Sequence, residues 1–168
     1  NEKGNILRKS NLEVKRGGDM KLLIINGPNL NLLGIREPSV YGSGSYAELV
    51  AFIKDASAAQ GVDAEIFQSN HEGAIVDKIQ QAISKADGIV INPAAYTHTS
   101  IAILDALKAV SLPAVEVHLS DIGSREDFRR RSYTSLACIK TYAGHGFEGY
   151  RMAILYLKKY IDEKTKKL

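Results

Sequence analysis

Residues 88–120 read GIVINPAAYTHTSIAILDALKAVSLPAVEVHLS. Ile89-Val90-Ile91 is a short unbroken apolar run, the pattern of a strand covered on both faces. Residues 99–110 carry helical spacing, and Pro113 then introduces a second apolar run, Ala114 to Leu119. Strand, helix and strand in that order make a βαβ unit, whose two strands lie parallel.

The alternation continues in both directions from this unit. Upstream, Leu22 to Ile25 reads as a first strand and Val62 to Phe67 as a second. Between them Leu49, Phe52, Ile53 and Ala56 follow helical spacing, with Ser45 and Glu48 placed as a capping box and Gly61 as the stop. Ile75, Ile79, Ala82 and Ile83 mark another helix, closing near Gly88. Downstream, Ala137 to Tyr142 reads as a fifth strand, and Tyr150, Ile154, Leu157 and Ile161 as a last helix. Five alternations predict an α/β protein: a flavodoxin-like three-layer α/β/α sandwich with a five-stranded parallel sheet. Residues 20–168 are expected to form one catalytic domain. Residues 1–19 lack periodicity and precede Met20; they read as a disordered N-terminal extension or an expression remnant.

Composition narrows the partners. The net charge is +3, but residues 1–19 carry +2 and residues 158–168 carry +3, so the body between them sums to −2. That is not the surface of a nucleic-acid binder, and Arg129-Arg130-Arg131 is the one basic cluster inside the body. No apolar run approaches the ~18 residues of a membrane span. The single cysteine, Cys138, excludes an internal disulfide and reads as a buried structural thiol. There is no P-loop, no dinucleotide fingerprint and no G-x-S-x-G elbow, and the four histidines show no metal spacing. Neither metal nor cofactor is expected.

In a doubly wound sheet, ligands bind beyond the carboxyl ends of the strands. The loop after strand one, from Asn26 to Gly42, is long for an α/β connection and carries Arg36 and Tyr41. The loop after strand three, Asn92 to Ser100, is dense in hydrogen-bonding groups and opens toward a helix; Asp105 lies a turn or two further on. Strand four places Glu116 and His118 on one face, because side chains alternate along a strand. A carboxylate beside an imidazole fixes its tautomer and raises its basicity, which suits a general acid. Arg125 and Arg129 follow, four apart and so on one helix face. Each feature alone has a plainer reading: Tyr41 as packing, Arg36 and Asp105 as surface charges, His98 and Ser100 as helix caps, Glu116–His118 as a structural pair.

Four strings together resemble the type II 3-dehydroquinate dehydratases: GPNLNLLGIREPSVYG at 27–42, NPAAYTHTSIAILDAL at 92–107, EVHLSD at 116–121 and REDFRRRSY at 125–133. The resemblance implies a cytoplasmic hydro-lyase of the shikimate pathway that works without a cofactor. It converts 3-dehydroquinate into 3-dehydroshikimate through an enolate. It implies a dodecamer built as a tetramer of trimers. Position by position, it makes Tyr41 the base, His118 the general acid with Glu116 behind it, and Arg36 the residue closing over substrate. It makes Asn29 the holder of a water near the enolate. Asn92, His98, Asp105, Leu119, Ser120 and Arg129 become substrate-holding positions, and Arg125 a support for the closed loop. Asp121 stands where the family usually has Asn, and Gly123 where a larger residue is common.

The residue types suit the chemistry. An ordinary tyrosine ionises near ~10, and bringing that to about 7 takes roughly 4 kcal/mol of differential stabilisation. Arginines in a water-poor loop can supply much of that. Two other readings stand beside this one: a Schiff-base dehydratase using a lysine, and a non-catalytic flavodoxin-like module that binds a small molecule.

Overall fold

The computed structural model describes residues 20–35 and 44–167. Arg36, Tyr41 and residues 1–19 lie outside the described residues. Five parallel strands, β1 (Met20–Asn26), β2 (Val62–Gln68), β3 (Gly88–Asn92), β4 (Ala114–His118) and β5 (Lys140–Ala143), form one sheet in the order β2-β1-β3-β4-β5. Among the described residues four α-helices cover it: α1 (Tyr46–Ala58), α2 (Glu72–Gln81), α3 (Ile101–Val110) and α4 (Glu148–Thr165).

Strand alternation divides the core in two. Leu22, Ile24, Val90, Val115 and Val117 pack against Leu49 and Ile53 of α1 and Tyr150, Ile154 and Leu157 of α4. Leu23, Ile25, Ile89, Ile91 and Ala114 face the other way, onto Ile75 and Ile79 of α2 and Ile103 and Leu107 of α3. The central strands are apolar on both faces for this reason. The three-layer sandwich expected from periodicity is therefore the fold. Ser45 and Glu48 form both halves of the capping box at the start of α1. Among the described residues no helix is long and apolar enough to cross a membrane.

Three boundaries differ from the sequence reading. β5 begins at Lys140, three residues late, because Thr134–Ala137 coils into a 3-10 turn. Ile139 N–H donates to Ala114 O at 2.8 Å before the ladder proper begins. Arg125 and Arg129 do not share a helix: two 3-10 turns, Ile122–Ser124 and Asp127–Arg129, are separated at Arg125, whose backbone is extended. The loop after β3 opens not directly into α3 but through a 3-10 turn, Ala94–His98. Ser100 does cap α3, its hydroxyl accepting from Ile103 N–H at 2.9 Å.

The switch point between β1 and β3 creates the crevice that a doubly wound sheet offers a ligand. The two strand ends meet there at close range. Gly27 N–H donates to Asn92 O at 2.8 Å, and a Cβ on Gly27 would lie 2.5 Å from Pro93 O. Only glycine permits that approach.

Candidate active site

A cleft with about 630 Å³ of empty space, part of it open to solvent, lies at this crevice. Its walls come from three post-strand segments: Asn29, Leu30 and Leu33 after β1; Asn92, Ala94, Ala95 and His98 from the end of β3 onward; His118, Leu119, Ser120 and Ile122 from the end of β4 onward. Arg125 and Arg129 complete it. No described lining residue is acidic and none is lysine, whereas two arginines and two imidazoles face in. The cleft is thus built to receive an anion carrying hydrogen-bonding groups.

Asn29 sits in the left-handed region, φ 66°, which asparagine tolerates better than most residues. Its N–H donates to Asn70 Oδ1 at 2.9 Å, and Gln68 donates to both Asn70 Oδ1 and Gly27 O. The end of β2 thereby fixes the loop after β1. Asn92 is held from behind by Tyr150, which the sequence marks only as a position on the last helix. The Asn92 side-chain amide donates to the Tyr150 hydroxyl at 3.0 Å, and that hydroxyl donates to Asn26 Oδ1 at 2.7 Å. Asn92 Oδ1 accepts from Ala94 N–H, closing the turn. Burial raises the Tyr150 phenol well above the ordinary tyrosine value, only partly offset by Asn92, so it acts as a fixed neutral connector.

Glu116 and His118 point to the α2/α3 side of the sheet, as the strand period requires. Glu116 is fully buried, and His118 Nε2 lies 3.3 Å from its Oε1. The contact is close, but its angle falls short of a well-formed hydrogen bond. Burial alone pushes the Glu116 carboxyl up; the His118 imidazole and the Thr97 and Ser132 hydroxyls more than offset it and hold it below the usual value. Thr97 Oγ1 donates to Oε1 at 2.6 Å, Ser132 Oγ reaches Oε1 at 2.8 Å and Oε2 at 3.1 Å, and Thr141 Oγ1 reaches Oε2 at 3.3 Å. Thr97, Ser132 and Thr141 are absent from the sequence-derived site. The REDFRRRSY string contains Ser132, but a lone hydroxyl there carries no spacing signal.

His98 does not cap α3. Its Nδ1–H donates to Arg131 O at 2.7 Å, which leaves Nε2 as the nitrogen available to the cleft. Tyr133 N–H donates to Thr97 O at 2.8 Å, so segment 125–133 is stapled to the turn after β3. Arg125 and Arg129 each approach Glu126, at 3.5 and 3.4 Å. Asp121 accepts from Gly123 N–H at 2.9 Å, and a Cβ on Gly123 would sit 3.2 Å from that carboxylate. The two departures at 121 and 123 therefore belong to one local turn. Cys138 packs against the α2/α3 side of the core, and burial together with the Glu116 charge pushes its thiol far up. Asp105 does not line the cleft: it is exposed on α3, opposite Ile103, Leu104, Ala106 and Leu107.

Fold and cleft define a class: a doubly wound α/β protein with an anion-receiving site at its switch point and an imidazole–carboxylate pair in the wall. The model of the class II dehydroquinases matches residues 20–158, and the chain belongs to that family. It is 54% identical to the 3-dehydroquinate dehydratase of Clostridium acetobutylicum, over 86% of this chain and 100% of that one. It is 52% identical to the catabolic 3-dehydroquinase of Verticillium alfalfae, over 87% and 97%. The crystal structure of a type II dehydroquinase from Butyrivibrio crossotus superposes with a TM-score of 0.83 at 51% identity, covering 84% of this chain and 99% of that one.

Proposed function

We propose that this protein is a 3-dehydroquinate dehydratase that eliminates water from 3-dehydroquinate through an enolate. The observation that carries the reading is the cleft whose described lining holds two arginines and two imidazoles and no acid, with His118 in its wall and the buried carboxylate of Glu116 behind it. A carboxylate substrate is drawn to Arg125, Arg129 and the His98 ring. The base removes a proton next to the ketone, and negative charge develops on the carbonyl oxygen. Asn29 stands at the mouth, suited to hold a water against that oxygen. His118 protonates the departing hydroxyl, and the Glu116 charge stabilises the imidazolium that must precede this step.

Tyr41 is assigned the base and Arg36 its activator on the family resemblance, together with the need for a base in the segment after β1. Asn92, Leu119 and Ser120 take the ring hydroxyls and the carboxylate. A Schiff-base route fits less well, because the described lining contains no lysine and segment 36–43 has none in its sequence. Cytoplasmic residence and a dodecameric assembly are part of the same proposal. Asp105 faces away from its own cleft, so a substrate contact from Asp105 has to be made across a subunit interface.

The deciding experiment follows the ultraviolet absorbance of the conjugated enone on adding 3-dehydroquinate to wild type and to Tyr41→Phe. Wild type turns over, and the variant loses at least about a hundredfold in kcat. Binding without turnover by wild type would favour the non-catalytic module instead.

A further inference from the structure

The buried Glu116 carboxylate is held by more donors than a neighbouring imidazole requires. Ser132 touches both of its oxygens, Thr97 touches Oε1, and the two hydroxyl oxygens lie 2.7 Å apart. Two hydroxyl protons thus serve three short contacts around Oε1, an arrangement that strengthens by mutual polarisation. Ser132 is itself fixed: Ser135 N–H donates to its hydroxyl at 3.0 Å, and Ser135 Oγ donates to its carbonyl at 2.9 Å. Its segment also carries Arg125 and Arg129, which line the cleft. Ser132 therefore connects the anion-receiving arginines to the carboxylate behind the acid.

A buried carboxylate and an imidazole can share one proton in two ways, as an ion pair or as two neutral groups. In a low-dielectric setting the neutral form is favoured unless donors stabilise the anion. Among the described residues, the titratable groups facing Glu116 are His118 on its own strand and the Cys138 thiol before β5. The other elements against it present neutral side chains: Ile91 from β3, Thr97 from the turn after β3, Thr141 from β5, and Ser132. Without hydroxyl donors, little would keep the charge on the carboxylate.

We propose that Ser132, with Thr97, is a positioning residue that holds Glu116 as an anion 3.3 Å from His118 Nε2, so that the shared proton stays on the imidazole. The proposal rests on the dehydratase reading of the cleft. Its consequence is separable from binding: Ser132 sets how much of the enzyme carries a competent acid, not how well substrate is held.

The test compares wild type, Ser132→Ala, Ser132→Thr and Thr97→Val by steady-state kinetics and by solid-state 15N NMR of sedimented, histidine-labelled enzyme. Resonances of His118 are assigned by their loss in His118→Asn. Ser132→Ala should lower kcat roughly tenfold, a fraction of what a general acid supplies, while KM changes by less than about twofold. The His118 ring signals should move from the charged toward the neutral pattern, and Ser132→Thr should restore both. A fall in kcat with unchanged ring signals would reduce Ser132 to scaffolding and overturn the proposal, as would no change in either. Should Ser132→Ala fail to fold, Thr97→Val decides on the same two readouts. Should wild type not turn over 3-dehydroquinate, the dehydratase reading falls, and the ring signals alone decide the pairing.

Discussion

Glu116 is buried with its charge facing the His118 imidazole and a set of hydroxyls, and that has a measurable cost in acid. Its carboxyl is held below the ordinary value, so its contribution to stability is full above the unfolded-state value of about 4.3 and is lost as pH falls through the lower folded-state value. Melting followed by circular dichroism from pH 6 to pH 3 should show wild type losing stability steeply at the acid end. Glu116→Gln cannot titrate, so its melting temperature should start lower and fall less over the same range. Parallel slopes for the two proteins would mean that other carboxylates dominate the acid limb. At this scale the sequence is informative where a period applies: strand alternation alone puts Glu116 and His118 on one face. It is silent on Thr97 and Ser132, because a hydroxyl acquires a role only when folding brings a charge to it from another segment, 19 residues away for Thr97 and 16 for Ser132.

Elements place these groups by where they stop. β1 and β3 end together at Asn26 and Asn92, and the Tyr150 hydroxyl of α4 ties the two amides. Tyr150→Phe keeps the ring but leaves both amides short of a partner, so it should cost about 1–3 kcal/mol in urea unfolding at neutral pH. The same substitution should flatten the alkaline side. The phenol is raised in the folded protein, so its stabilisation is full below ordinary tyrosine ionisation, near ~10, and declines as pH rises toward the folded value. Equal alkaline losses in wild type and variant would contradict that account. Helices with strong caps and repeating apolar faces were legible in the sequence, as Ser45 and Glu48 illustrate. The segment from Asp121 to Cys138 was not. It makes short 3-10 turns held by side-chain hydrogen bonds, and the apolar alternation in Ala137–Tyr142 extends three residues beyond the start of the strand itself.

For the whole molecule, Asp105 is the residue whose proposed role a single chain cannot fulfil. It shares the outer face of α3 with Ile101, four residues earlier and 48% exposed. Light scattering behind size exclusion should therefore report an assembly larger than one chain. Co-assembled mixtures of Asp105→Ala and His118→Ala should regain activity that neither has alone, because each supplies the other's missing group. Additive, unrestored activity would confine Asp105 to its own subunit or to no role. The doubly wound order also leaves one rim of the sheet chemically idle. All the cleft walls follow strand carboxyl ends, while the turn at Gly61 leads into the amino end of β2, its φ is 63°, and a Cβ there would meet nothing within 4 Å. That corner is a natural tether point. A flexible peptide spliced between Gln60 and Gly61, or a bead attached through it, should leave turnover within about twofold of the parent, so the catalyst could be immobilised with its working rim facing the solution.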